Sequence, residues 1–128
     1  MSFVLDASAL LAALLDEPGR DRVDAVINGA TMTTVNLAEV VGHFARLGAD
    51  PADIDLLLAG LPVVYVEPDK DLAIDAGLMR PVGERAGLSL GDRFCLAQAR
   101  RMGATALTAD RAWQTIAGAL DVDVELIR

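Results

Sequence analysis

The chain has 128 residues, a length typical of one domain with its own core, and we expect residues 1–128 to form a single domain. Apolar residues make up 53% of the chain, but no uninterrupted apolar run reaches the roughly 18 residues that a membrane span needs. The net charge of −8 is unfavourable for a general nucleic-acid binder, because lysine and arginine normally neutralise the phosphates.

Short apolar runs that alternate with helical patterns predict five strands and their connecting helices. In chain order we expect a strand at 2–6, helices at 8–17 and 20–28, a strand at 30–34, a helix from Asn36 to a stop at Gly48, a helix opening at Pro51, a strand at 63–66, a helix from Asp69 that breaks at Pro81, a helix at 89–102, a strand at 104–108, a short helix from Arg111 and a strand at 122–127. This alternation predicts an α/β fold of three α/β/α layers, with a central parallel sheet of about five strands.

Two features indicate a cytoplasmic protein. The longest apolar stretch, residues 7–15, follows Asp6 and has no basic residue before it, unlike a secretion signal. The single cysteine, Cys95, cannot form an internal disulfide. Because it lies among apolar residues in a helical pattern, we expect an inert buried thiol.

Four acidic residues fall where parallel sheets bind ligands, beyond the carboxyl ends of the strands. Asp6 ends the first predicted strand, and Asp110 lies two residues past the fourth. If these strands are neighbours, both carboxylates reach one crevice. Asp92 is expected in the first turn of the helix before the fourth strand, and Glu39 in the first turn of the helix after the second. The sequence therefore predicts four acids at one edge of the sheet.

Each acid alone also has a structural interpretation. Asp6 and Asp110 are suited to capping helices, Ser89 and Asp92 have the spacing of a capping box, and Glu39 is suited to a solvated helix face. Converging carboxylates repel one another, however, and require protons or cations. Oxygen ligands favour Mg²⁺ or Mn²⁺, and one histidine and one cysteine, far apart, exclude a structural zinc site.

Cations held in this way support phosphodiester cleavage, because they activate a water molecule and stabilise the leaving oxygen. We expect Asp6 and Asp92 to be the principal metal ligands. Asp110 and Glu39 would bind a second ion or orient the attacking water. The hydroxyl groups of Ser8 and Thr108 are positioned to hydrogen-bond these carboxylates or to cap a helix.

Four segments resemble the PIN-domain ribonucleases, above all the VapC toxins of bacterial toxin-antitoxin pairs. They are VLDASALLA at 4–12, NLAEV at 36–40, LSLGDRFCLAQA at 88–99 and ALTADRAW at 106–113. The resemblance covers nearly the whole chain and implies a PIN-like fold. It assigns the acidic quartet of the family to Asp6, Glu39, Asp92 and Asp110, with Ser8 or Thr108 as the hydroxyl neighbour.

The resemblance also implies an Mg²⁺-dependent endoribonuclease that forms a homodimer and is silenced by a cognate VapB-type antitoxin. Its substrates would be structured RNAs such as tRNA or rRNA. Two alternatives stay open, namely a PIN nuclease of RNA processing and an inactive PIN binding module. A dehalogenase-like phosphatase would need an aspartate where Ser8 stands, and a receiver domain would need a late lysine, whereas Lys70 is the only lysine.

Three basic side chains are candidates for RNA contact: Arg93 and Arg111, which directly follow two of the acids, and His43, one turn after Glu39. Six of the eleven basic residues lie between Arg80 and Arg111, against three acids of which two belong to the predicted metal site. The sequence therefore predicts that this segment is strongly positive once the metal is bound. Solvated surface arginines are an equal alternative. We expect Trp113 to belong to the core rather than to stack on a base.

Overall fold

The structure is a computed structural model that describes all residues, 1–128. Its elements follow the predicted order, and each strand is one residue shorter than predicted at one or both ends. The strands are β1 (Phe3–Leu5), β2 (Thr31–Thr33), β3 (Val64–Val66), β4 (Thr105–Thr108) and β5 (Asp123–Leu126). The α-helices are α1 (Ala7–Leu14), α2 (Arg20–Val26), α3 (Thr34–Arg46), α4 (Pro51–Ala59), α5 (Lys70–Leu78), α6 (Arg80–Arg85), α7 (Leu90–Met102) and α8 (Ala117–Leu120), and a 3₁₀ helix spans Arg111–Thr115.

All five strands run parallel in one sheet, in the order β3-β2-β1-β4-β5. The central strand β1 pairs with β2 through Val4 and Thr31, and with β4 through Leu5 and Leu107. The chain runs outward from β1 to β3 and then returns to form β4 and β5 on the other side. Strand order therefore reverses between β1 and β4, which opens a crevice at their carboxyl ends.

Two hydrophobic clusters cover the two faces of the sheet. Successive strand residues point to opposite faces, so Val4 belongs to one cluster and Leu5 to the other. The cluster around Val4 is completed by α5, α7, the 3₁₀ helix and α8. The cluster around Leu5 is completed by α1, α2 and α3. The predicted three-layer arrangement around a parallel sheet is confirmed.

Two residues that the sequence assigned to the core are fully buried there. Trp113 and Cys95 both lie in the cluster around Val4, with no exposed surface. Burial raises the pKa of the Cys95 thiol, which agrees with an inert side chain. No helix is both long and apolar enough to cross a membrane.

The helix boundaries differ from prediction at one important place. Helix α3 begins at Thr34, because the hydroxyl of Thr33 accepts the backbone N–H of Asn36 and caps the helix two residues earlier than predicted. Glu39 therefore lies in the second turn of α3, and its predicted place in the first turn was wrong. The predicted break near Pro81 is confirmed, since α5 ends at Leu78 and Pro81 lies in the first turn of α6.

Candidate metal centre

Asp6 lies between the end of β1 and the start of α1. Its Oδ1 accepts the backbone N–H of Ala9 at 2.8 Å, which makes it the N-cap of the helix, and the residue is only 3% exposed. Burial raises the pKa of its carboxyl group to about 6. Hydrogen bonds from Thr108, Ala9 and Ser8 oppose this rise, and the charge of Asp92 adds to it. A bound cation would offset the cost of burying the negative charge of Asp6 and would neutralise its repulsion with Asp92.

Two hydroxyl groups join Asp6 to the end of β4. Ser8 Oγ lies 2.7 Å from Asp6 Oδ1 and donates to the carboxylate, and Thr108 Oγ1 donates to Oδ2 at 2.6 Å. The same hydroxyl oxygens accept the backbone N–H groups of Ala109 and Asp110, at 2.9 and 3.0 Å. Both hydroxyls, rather than one of them, therefore hold the ends of β1 and β4 together around the carboxylate.

Asp92 lies in the first turn of α7 and forms a capping box with Ser89. Its Oδ2 accepts the backbone N–H of Ser89 at 2.8 Å, and its own N–H donates to Ser89 Oγ at 3.2 Å. Burial raises the pKa of the Asp92 carboxyl group, the bonds to Ser89 oppose that rise, and the charge of Asp110 adds to it. Oδ1 takes no part in the cap, so it is available for a ligand.

Asp110 follows β4 and caps the 3₁₀ helix. Its Oδ1 accepts the backbone N–H of Ala112 at 3.0 Å, and the residue is exposed. Asp6, Asp92 and Asp110 thus all serve as helix caps, so the structural interpretation from the sequence holds for each. Asp6 and Asp110 also follow the carboxyl ends of β1 and β4, where parallel sheets bind ligands, and the charge of Asp92 interacts with both. The two roles are compatible because each cap uses only part of a carboxylate.

Glu39 reaches the site from α3 and lies against the first turn of α7. Its Oε1 accepts a hydrogen bond from Asn36 Nδ2 at 2.9 Å, and the same amide donates to the carbonyl of Gly91 at 3.1 Å. A Cβ atom at Gly91 would overlap the Glu39 carboxylate. The charge of Asp92 contributes to raising the pKa of Glu39, after the larger effect of burial. Sequence reasoning missed Asn36, although its place three residues before Glu39 is a usable signal.

Substituting Gly91 tests whether this close approach matters. We expect Gly91→Ala to leave the fold intact, because position 91 is helical and only the end of the flexible Glu39 side chain would move. Any RNA-cleaving activity should fall by about tenfold in a magnesium titration, because the carboxylate is displaced. Gly77→Ala in α5, where an added Cβ meets nothing within 4 Å, is the matched control and should keep wild-type activity. Equal activity of both variants would contradict a role for Glu39 at this place.

Most of the arginines between Arg80 and Arg111 have partners within the chain. The partners are Glu84 for Arg80, the Ala76 carbonyl for Arg93, the Leu120 carbonyl for Arg100 and Asp69 for Arg101. Arg85 and Arg111 are exposed, with neither a hydrogen bond nor an ion pair. Ion pairs therefore offset the charges of Arg80 and Arg101, whereas the two arginines bonded to neutral carbonyls keep their charge.

The three candidates for RNA contact differ in their exposure and in their contacts within the chain. Arg111 is exposed and follows Asp110 directly. Arg93 donates from Nη1 to the carbonyl of Ala76 at 3.1 Å and so links α7 to α5. His43 is half-buried and meets the edge of the Phe44 ring, with centroids 5.6 Å apart. RNA contact stays a prediction for all three, and Arg93 would have to leave Ala76 to make it.

The donor set fits a hard divalent cation in its chemistry, since it consists of carboxylate oxygens supported by hydroxyls. Asp92 is close enough to Asp6, Glu39 and Asp110 for their charges to interact. No three of the acidic, histidine or cysteine side chains are grouped tightly enough to enclose an ion as they lie. Neither of the two cavities, of about 540 and 270 Å³, is lined by any of the four acids.

Several solved structures share this fold. The chain is similar to the DNA-bound VapBC of Salmonella typhimurium, with a TM-score of 0.76, 19% identity, and coverage of 100% of this chain and 99% of that one. A toxin-antitoxin complex from Klebsiella pneumoniae gives a TM-score of 0.74, 15% identity, and coverage of 99% and 98%. VapC20 of Mycobacterium tuberculosis, a sarcin-ricin loop cleaving toxin, gives a TM-score of 0.73 and 16% identity, with coverage of 89% of this chain and 94% of that one.

At these identities the structural likeness shows the fold alone. Among curated proteins, none matches the chain significantly. The model of the PIN domain family matches residues 3–119, which include all four acids and every strand except β5. That match covers most of the sequence, and the motifs that carried the resemblance lie within it. The chain belongs to the PIN domain family, a family of nucleases.

Proposed function

We propose that this protein is an endoribonuclease that depends on Mg²⁺, with Mn²⁺ as a substitute. The observation that carries the proposal is the arrangement of four carboxylates around the crevice between β1 and β4, with Asp92 close enough to the other three for their charges to interact. Without cations the negative charges of these carboxylates repel one another, whereas bound divalent cations would stabilise the ionised group. The oxygen donors favour Mg²⁺ or Mn²⁺ over zinc.

The four acids have separate tasks in this proposal. When bound, the cations would supply an activated water molecule and neutralise charge on the scissile phosphate. Asp6 and Asp92 are the principal ligands, since both are more buried than Asp110 and their two negative charges repel each other. Asp110 and Glu39 hold a second ion or orient the attacking water. Ser8 and Thr108 keep the Asp6 carboxylate oriented by donating to it.

An RNA substrate agrees with the shape and charge of the site. Enzymes for small molecules usually enclose their ligand in a cavity, but neither cavity of this chain includes any of the four acids. Arg111, exposed and unpaired beside Asp110, is available to a phosphate group. VapC20, which shares the fold, is a sarcin-ricin loop cleaving toxin. We therefore propose a structured RNA, such as tRNA or rRNA, as the substrate.

The cellular role that we propose is that of the toxin in a toxin-antitoxin pair. Solved VapBC complexes from Salmonella typhimurium, Rickettsia felis and Haemophilus influenzae share the fold over nearly the whole of both chains. A VapB-type antitoxin is accordingly the proposed partner, and a homodimer in the cytoplasm is the proposed state. A nuclease of RNA processing would use the same carboxylates, so that role is the alternative.

Mapping new 5′ ends in cellular RNA after induced expression tests the function and the role together. We expect wild-type protein to arrest growth and to produce a few discrete 5′ ends in tRNA or rRNA, whereas Asp92→Asn should do neither. Co-expression of a small gene adjacent to this one should restore growth. Identical 5′ ends from both proteins would overturn the nuclease assignment. Discrete cleavage without growth arrest would favour RNA processing.

A further inference from the structure

Asn36 is a fully buried polar residue that joins two of the helices around the site. It lies in the first turn of α3, has no exposed surface, and donates from Nδ2 to both Glu39 Oε1 and the carbonyl of Gly91. Glu39 itself is exposed. The contact therefore connects a solvent-facing carboxylate to a buried anchor between α3 and α7.

The orientation of the Asn36 amide is determined by its partners. Thr33 Oγ1 accepts the backbone N–H of Asn36 at 3.2 Å and donates its own proton to Asn36 Oδ1 at 2.7 Å. The oxygen end of the amide therefore faces a donor. The nitrogen end faces two acceptors, and rotating the amide by half a turn would set its oxygen against both.

This fixed amide opposes the tendency of Glu39 to leave the site. Glu39 is a flexible side chain near the negative charge of Asp92, which favours a conformation in the solvent. Asn36 offers it a hydrogen bond at 2.9 Å, and Gly91, which lacks a side chain, leaves room for the carboxylate beside α7. In the chain as it stands, Glu39 has no other hydrogen-bond partner.

We propose that Asn36 is a positioning residue that holds the Glu39 carboxylate next to Asp92 and thereby sets the affinity of the site for divalent cations. This inference rests on the proposed function, because it assigns Glu39 to the metal centre. Thr33 acts one step further away, since its hydroxyl fixes the orientation of the amide. The clamp consists of Thr33, Asn36 and Gly91.

Affinity for Mn²⁺, measured by calorimetry on the purified protein without RNA, tests the proposal. Asn36→Ser should weaken Mn²⁺ binding by about tenfold or more, which is typical of the loss of a group that orients a ligand. Thr33→Val should weaken it, whereas Thr33→Ser, which keeps the hydroxyl, should not. Val23→Ala, at the buried position of α2, is a control for lost stability and should bind Mn²⁺ as wild type does.

A double substitution separates positioning from general damage. In a Glu39→Ala background, Asn36→Ser should cause no further loss of Mn²⁺ affinity, because the carboxylate on which Asn36 acts is gone. Additive losses, or wild-type affinity in both Asn36→Ser and Thr33→Val, would overturn the positioning role. If wild-type protein neither binds Mn²⁺ nor cleaves RNA, the proposed function fails instead. If wild-type protein binds Mn²⁺ and cleaves RNA, and the Asn36→Ser and Thr33→Val variants bind Mn²⁺ equally well, only the positioning role is refuted.

Discussion

Replacing Asp92 with asparagine is expected to reduce the rate of RNA cleavage in Mg²⁺ by roughly a thousandfold or more, because a principal metal ligand loses its charge. At about 1.36 kcal/mol for each tenfold in rate, this loss corresponds to about 4 kcal/mol of transition-state stabilisation. The substitution removes the one charge that interacts with Asp6, Glu39 and Asp110. It keeps a side-chain oxygen that can accept the N–H of Ser89, so α7 retains its cap. Initial rates of cleavage by purified protein measure the effect, and EDTA should abolish the wild-type rate.

The matched control is the same substitution at a helix cap elsewhere in the chain. Asp50 caps α4 by accepting the backbone N–H of Ala52 at 2.9 Å, and it is exposed. Asp50→Asn should stay within about twofold of the wild-type rate, as surface changes usually do. If Asp92→Asn cleaved RNA at the wild-type rate, or if wild type cleaved it in EDTA, the metal mechanism would be rejected.

The metal-free protein is expected to lose roughly 3 kcal/mol of stability through Asp6 as the pH rises from about 4 to above 6. Burial raises the pKa of Asp6 to about 6 in the folded chain, against an ordinary value of 3.8 for an exposed aspartate. Between these values the folded state binds more protons than the unfolded state, so the free energy of unfolding falls with rising pH. Above the folded-state pKa the loss is complete. Urea denaturation in EDTA at a series of pH values measures it.

Two comparisons isolate the contribution of Asp6 from those of the other acids. Asp6→Asn cannot ionise, so the fall in stability attributable to Asp6 should disappear in this variant. Mn²⁺ should stabilise wild-type protein more at pH 7.5 than at pH 5.5, because the ligand must be deprotonated to bind. If wild type and Asp6→Asn showed the same dependence on pH, the raised pKa of Asp6 would be refuted.

The elements and three of the acids could be predicted because their signals are local. Each strand is a short apolar run, and Asp6 and Asp110 stand where such a run gives way to a helix. Ser89 and Asp92 carry the spacing of a capping box, which α7 adopts. A parallel sheet then brings separate strand ends to one edge. Local patterns thus predicted the sheet and the caps correctly, whereas the role of these acids as metal ligands stays a prediction.

The rest of the site depends on contacts between distant parts of the chain. Asn36 also donates to the Gly91 carbonyl, 55 positions away, and no pattern around Asn36 indicates that partner. Both Thr33 and Asn36 are suitable caps, so the start of α3 was ambiguous by a few residues. Arg101 pairs with Asp69, 32 positions away, which removes it from the free positive surface. Tertiary packing decided each of these.

The hydrogen bond of 2.6 Å between Asp6 and Thr108 joins residues 102 positions apart in the sequence. During synthesis, β1, β2 and β3 leave the ribosome first, and β4 emerges only after most of the chain has been made. A nascent chain therefore has no assembled centre until β4 docks beside β1, and a product that terminates before Thr105 has none. Premature termination before β4 would therefore yield fragments that lack one side of the proposed metal centre.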